Sequence, residues 1–140
     1  EQYKDALYWI NQVLNDPEQT LRQDIFGFAR LFNLLIHFEL GNHDLMEYTI
    51  KSTSRYLNKK EKDYQIEGEM IKYLKKLIKV TIEFDRKEIY EKMMVEFEKM
   101  LENPVERIIL EYVDVISWLD SKISKRPFAE SVKKRNLATA

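Results

Sequence analysis

Two proline turns of the same form punctuate this chain at a spacing that points to repetition. Leu14-Asn15-Asp16-Pro17 and Leu101-Glu102-Asn103-Pro104 lie 87 residues apart, and Leu57, in Tyr56-Leu57-Asn58-Lys59, stands halfway between them. Each of the three leucines closes a segment whose apolar residues recur at helical spacing. Tyr3, Leu7, Ile10 and Leu14 match Met46, Ile50, Thr53 and Leu57, and then Tyr90, Met94, Phe97 and Leu101. Side chains three and four apart share one face of a helix, so each set predicts an amphipathic helix with one buried stripe. Glu39-Leu40-Gly41 and Glu83-Phe84-Asp85 repeat at the same interval. An array of helical hairpins with a period of 43 to 44 residues implies an α-solenoid, because each hairpin buries its apolar face only against its neighbours.

The local signals agree with an all-α chain of about six helices. Only three glycines and three prolines occur, which favours long regular elements over a turn-rich β fold. Gln2 to Asn15 reads as the first helix. Asp16, Pro17 and Gln19 form a capping box with proline at the first helical position, where its missing N–H costs nothing. The second helix is expected from Pro17 to Leu40, through Leu21, Ile25, Phe28, Leu31, Phe32 and Leu35. Gly41 stops it, since glycine takes the left-handed conformation without penalty.

Asn42 or Asp44 caps a third helix, which ends near Asn58-Lys59-Lys60. A fourth starts at Asp63. Its end is ambiguous, because Ile78, Val80, Ile82 and Phe84 alternate with polar residues as a strand would. A lone strand leaves its backbone unpaired, so helix is expected to about Glu83. Asp85-Arg86-Lys87-Glu88 has the form of a capping box for the fifth helix, and Asn103-Pro104-Val105-Glu106 of one for a long sixth helix through Ile108, Tyr112, Ile116 and Leu119. Residues 1–134 are expected to form a single helical-repeat domain, with 135–140 as a frayed tail. A chain that begins within a helical pattern also reads as part of a longer protein.

Phe38-Glu39-Leu40-Gly41-Asn42-His43-Asp44, followed by Met46, Ile50 and Thr53, resembles the turn and second helix of a tetratricopeptide (TPR) repeat. Gly41 matches that family's turn glycine, Met46 and Thr53 its small packing positions, and Ile50 its aromatic one. Ala6-Leu7-Tyr8-Trp9-Ile10 resembles the start of such a helix. The period departs from the family's 34 residues, and its Trp-x-x-Leu-Gly stretch is absent. The resemblance covers about Gln2 to Leu101. It implies antiparallel hairpins stacked as a short TPR-like superhelix, with a scaffold or protein-binding role. The chain is also similar to the C-terminal regions of long bacterial TPR-like proteins.

Catalytic and metal chemistry find little footing. His37, Glu39, His43 and Asp44 fall within eight residues, yet the two histidines belong to different elements, and helical ligand pairs need a spacing of three or four. A zinc site needs at least three protein ligands, and thiolate ligands are excluded because the chain has no cysteine. No Gly-rich phosphate loop, G-x-S-x-G or H-E-x-x-H motif occurs. The reading is a non-catalytic module with no cofactor and no metal.

A partner-binding surface is the remaining functional feature. In a solenoid the first helix of each hairpin lines the concave face. These helices keep a polar stripe: Arg30, Asn33 and His37, then Lys72, Lys76 and Lys79, then Asp114 with Ser117 and Ser121. The expected partner is a protein or peptide, an upstream part of the same chain, or a second copy, because Leu7, Ile10 and Leu14 need a cover.

The net charge of −1 speaks against a strongly charged partner overall. Local basic stretches nevertheless leave nucleic-acid binding as the alternative, through Lys72, Lys75, Lys76, Lys79, Lys125, Arg126, Lys133, Lys134 and Arg135. A purely structural domain docked on upstream repeats is a further one. No run approaches the ~18 apolar residues of a membrane helix, and a cytoplasmic setting is expected.

Overall fold

The structure is a computed structural model that describes residues 2–14, 23–59 and 64–139. The expected caps at Asp16, Pro17, Gln19 and Asp63 lie outside these residues. The described chain is all-α, and among the described residues there is no strand. Eight helices occur among them, two more than the expected six: α1 (Gln2–Leu14), α2 (Gln23–Glu39), α3 (His43–Lys59), α4 (Gln65–Ile78), α5 (Glu83–Met100), α6 (Pro104–Tyr112), α7 (Val115–Ser124) and α8 (Phe128–Thr139). They form two compact units, Glu1–Ile78 and Lys79–Ala140.

In the first unit α2 is the central element, packing against α1, α3 and α4. Its sequence suits that position, because Phe26, Ala29, Leu31, Leu34, Leu35, Ile36 and Phe38 are all buried, which leaves little of its circumference for water. α3 is amphipathic in the ordinary way. It buries Met46, Ile50, Thr53 and Leu57, the four positions expected from the repeat pattern, and it exposes Leu45. α1 packs on α2. Its stripe residues Leu7, Ile10 and Leu14 are only half-buried.

The turn between α2 and α3 follows from Gly41. With φ at +74° this residue occupies the left-handed region, which a side chain would strain. Gly41 N–H donates to the Phe38 carbonyl at 3.1 Å, and Asn42 N–H donates to the His37 carbonyl at 3.0 Å. Together these bonds make a Schellman motif, satisfying carbonyls that the end of α2 would otherwise orphan. Asn42 then occupies the N-cap position of α3, and Asp44 lies in its first turn. α4 is opened by a reciprocal cap, in which Glu67 reaches back so that its Oε1 accepts from Tyr64 N–H at 3.1 Å.

α4 ends at Ile78 and not near Glu83. Lys79 is a turn residue, and residues 80–82 have no helical structure. The alternation read in the sequence therefore marks a break. Val80, Thr81 and Ile82 are consecutive β-branched residues, stiff at χ1 and weak helix formers. Arg86 bridges the segment by donating from Nε to the Val80 carbonyl at 2.6 Å. α5 starts at Glu83, two residues before the expected box. Its N-cap is Ile82, with no side-chain cap, and Asp85 lies in its first turn, where an acid meets the positive end of the helix dipole.

In the second unit α7 is central, packing against α5 and α8. The Tyr90 and Trp118 rings meet edge to face at 5.8 Å across the α5–α7 contact. The buried positions of α5 are Tyr90, Met93, Phe97 and Met100, so two of its four expected equivalents fall one residue early. α6 is capped as expected, with Asn103 Oδ1 accepting from Val105 N–H at 2.9 Å and Pro104 in the first turn. The expected long helix does not continue, however. It breaks at Val113 and Asp114, and Asp114 caps α7 by accepting from Ser117 N–H at 3.0 Å. α8 runs through Arg135 to Thr139.

Candidate functional site

The polar stripe expected along the first helices divides into groups with different surroundings. Asn33 and His37 are buried, each about 8% exposed, because α2 is enclosed by three other helices. Arg30 is half-buried, with its guanidinium 4.3 Å above the centroid of the Tyr56 ring, a cation–π contact with α3. Burial lowers the Arg30 pKa from its ordinary value, against an opposing effect of Tyr56.

Burial also lowers the His37 pKa. Asn42 Nδ2 donates to His37 Nδ1 at 3.0 Å, so the neutral ring carries its proton on Nε2. His43 packs edge to face on Phe38, at 6.1 Å between centroids. Both histidines thus hold the α2–α3 turn. Among the described residues, no three His, Cys, Asp or Glu side chains group as a metal site.

Lys72, Lys76 and Lys79 are exposed. Lys72 reaches Glu69 at 3.4 Å, and Lys72 and Lys76 flank the Tyr73 ring at 5.0 and 5.2 Å. Near the start of α4 a cleft of about 400 Å³ is bordered by Ser54 and Leu57 of α3 and by Glu67, Gly68 and Ile71 of α4. Its one buried acid, Glu67, is committed to the helix cap.

In the third group, in the second unit, Ser117 borders a cleft. Asp114 Oδ1 accepts from Ser117 N–H and also from Arg135 Nη1 at 2.5 Å, which ties α8 to the start of α7. The cleft has a volume of about 170 Å³. Met94 and Glu98 of α5, Ile116, Ser117 and Asp120 of α7, and Ser131, Lys134 and Arg135 of α8 line it. Ser121 turns inward and donates to the Trp118 carbonyl.

Sequence reasoning placed Asp114, Ser117 and Ser121 on one face, and of these only Ser117 lines the cleft. It missed Asp120 and Ser131. Asp120 lies three residues after Ser117 on a recognised helix, so helical spacing alone could have found it. Ser131 belongs to α8, and no local signal pairs that helix with α7.

No family model, no curated protein and no solved structure matches this chain. Among the described residues, no helix is long and apolar enough to cross a membrane.

Proposed function

We propose that this chain is a non-catalytic helical module, TPR-like in kind, that binds a protein partner through α1. The observation that carries the reading is the exposure of α1: Tyr8 is 59% exposed and Trp9 67%, and the two rings meet edge to face at 5.4 Å. Tyrosine and tryptophan are the residue types that dominate the energetics of protein interfaces, since each buries a large area at low conformational cost. α1 also keeps Leu7, Ile10 and Leu14 only half-covered by α2. The TPR-like character draws support from the Gly41 turn and from the burial of Met46, Ile50 and Thr53 in α3. A cytoplasmic setting completes the proposal.

The test is selection of random displayed peptides on the immobilised chain. Enriched peptides are expected to bind the native protein and to lose at least tenfold in affinity for the Tyr8→Ser, Trp9→Ser variant. Such exposed substitutions leave stability within about 0.5 kcal/mol, so circular dichroism should be unchanged. Peptides that bind both proteins equally, or no enrichment at all, would overturn the reading. Sedimentation equilibrium of the same pair tests whether the partner is a second copy: a dimer that becomes a monomer in the variant identifies it.

A further inference from the structure

Serines within a helix usually return their hydroxyl to a carbonyl one turn back. On α7, Ser121 and Ser124 do so, donating to the carbonyls of Trp118 and Asp120 at 2.5 Å each. Ser117 does not. It is 1% exposed, its N–H is taken by Asp114, and its Oγ has no hydrogen-bond partner among the described residues. Ser131 on α8 is 2% exposed, and its Oγ is equally without one. Asp120 Oδ2 is the third such atom. Its nearest cation, Arg126 Nε, stands 3.8 Å away, beyond hydrogen-bond reach. All three residues line the same cleft between α5, α7 and α8. Buried polar groups without partners are rare and costly, and three at one cleft call for a common complement.

The chemistry of that complement follows from what the three atoms offer. An ionised carboxylate only accepts, and each hydroxyl can accept on two lone pairs. A primary ammonium has three donors and no acceptor, so it answers three oxygens with none left over. An anion would face Asp120 and Glu98; of the two cations that also line the cleft, Lys134 is exposed and Arg135 is bonded to Asp114. A guanidinium would bring five donors to three acceptors. Arg135, the one guanidinium lining the cleft, is already bonded to Asp114. Met94 and Ile116 supply apolar wall for an alkyl stem. At ~30 Å³ for each water-sized atom, the volume of about 170 Å³ admits about five or six non-hydrogen atoms. A butylammonium group, or a lysine side chain beyond its Cα, is of that size.

We propose that the cleft is a binding site for a primary alkylammonium group, with Ser117, Ser131 and Asp120 accepting its three hydrogens. The site is independent of the α1 surface. Its ligand is either a free aliphatic amine or a lysine side chain presented by a peptide, and the chemistry of recognition is the same for both.

The experiment is a titration of the 15N-labelled chain followed by amide shifts, using n-butylammonium, the peptide acetyl-Gly-Lys-Gly-amide, and n-butanol as a neutral isostere. Saturable shifts are expected at Ser117, Asp120 and Ser131 with butylammonium and not with butanol. The Ser117→Ala, Ser131→Ala variant is expected to lose at least tenfold in affinity. Asp120→Asn, which keeps the shape of the side chain, should do the same and serves if the serine variant fails to fold. Binding of the lysine peptide identifies a partner's side chain as the source. Binding of butylammonium alone identifies a free amine. Non-saturable shifts, equal shifts with butanol, or unchanged affinity in both variants would overturn the proposal.

Discussion

The two units are each built around one helix enclosed by its neighbours, and they differ in how that helix treats its polar residues. In the first unit α2 carries long or flat polar groups. Arg30 reaches the Tyr56 ring on α3, and His37 reaches Asn42 in the following turn. In the second unit α7 carries short ones. Some find backbone or cap partners, as Ser121, Ser124 and Asp114 do. Ser117 and Asp120 border a cleft with buried oxygens left over. On α2 too, Arg30 Nε and Asn33 Oδ1 are buried without a hydrogen-bond partner among the described residues, so what sets the second unit apart is that its leftover oxygens border one cleft.

The comparison can be broken most directly at the core. Leu34 on α2 and Leu119 on α7 are both fully buried. Replacing either with alanine should cost about 2–5 kcal/mol by chemical denaturation, from lost burial plus the cavity left behind. A cost below about 1 kcal/mol at one site would mean that its helix is not central.

Asp114 sharpens the picture of the second unit, because its carboxylate serves both as cap and as the partner of Arg135. Asp114→Ala should lose about 2 kcal/mol, and Asp114→Asn about 1 kcal/mol less than that, since asparagine caps equally well but carries no charge. The figure for the ion pair is kept small because both side chains are about one-quarter exposed. An Asp114→Asn variant as stable as the parent would leave no energetic role for the pair.

In the first unit Gly41→Ala meets no neighbouring atom within 4 Å, so its cost is conformational alone, about 1 kcal/mol. The counterpart in the second unit is Lys125, a non-glycine residue at φ 57° that ends α7. Lys125→Gly should gain about 0.5 kcal/mol in thermal denaturation, since its ion pair with Glu83 is long and exposed.

The smallest expected effect depends on pH. The His37 pKa is lowered in the folded state from 6.5, so the unfolded chain takes up the proton first as the pH falls. Stability should be full above 6.5 and decline as the pH drops through 6.5 towards the folded value. His37→Gln should flatten this dependence, and an unchanged profile would remove His37 as its source.

What could be read from the sequence follows from how local each signal is. Gly41 as a stop, Asn103-Pro104 as a cap and the buried face of α3 depend on residues within one or two turns, and the structure matches them. The break at Asp114 was hidden because apolar periodicity runs across it, from Tyr112 and Val113 to Ile116 and Leu119. Asp114 followed by Ser117 was the available sign. The alternation at residues 78–84 marked a break between helices, at residues 79–82, in place of continuous helix. The burial of Asn33 and His37 was not legible at all. A polar stripe looks wet until the third neighbour of α2 is known, and that neighbour, α4, lies more than 25 residues further along the chain.

The order of packing has a consequence for the rate at which each unit can assemble. In the first unit the principal contacts join helices that follow one another, α1 to α2, α2 to α3 and α3 to α4. In the second, α5 makes its main contact with α7 and passes over α6, which has no comparable partner among the described residues. Closing that longer loop costs entropy before any burial repays it, and folding slows as the sequence separation of contacts grows. In the second unit the encounter of α5 with α7 is thus the step on which its folding time depends.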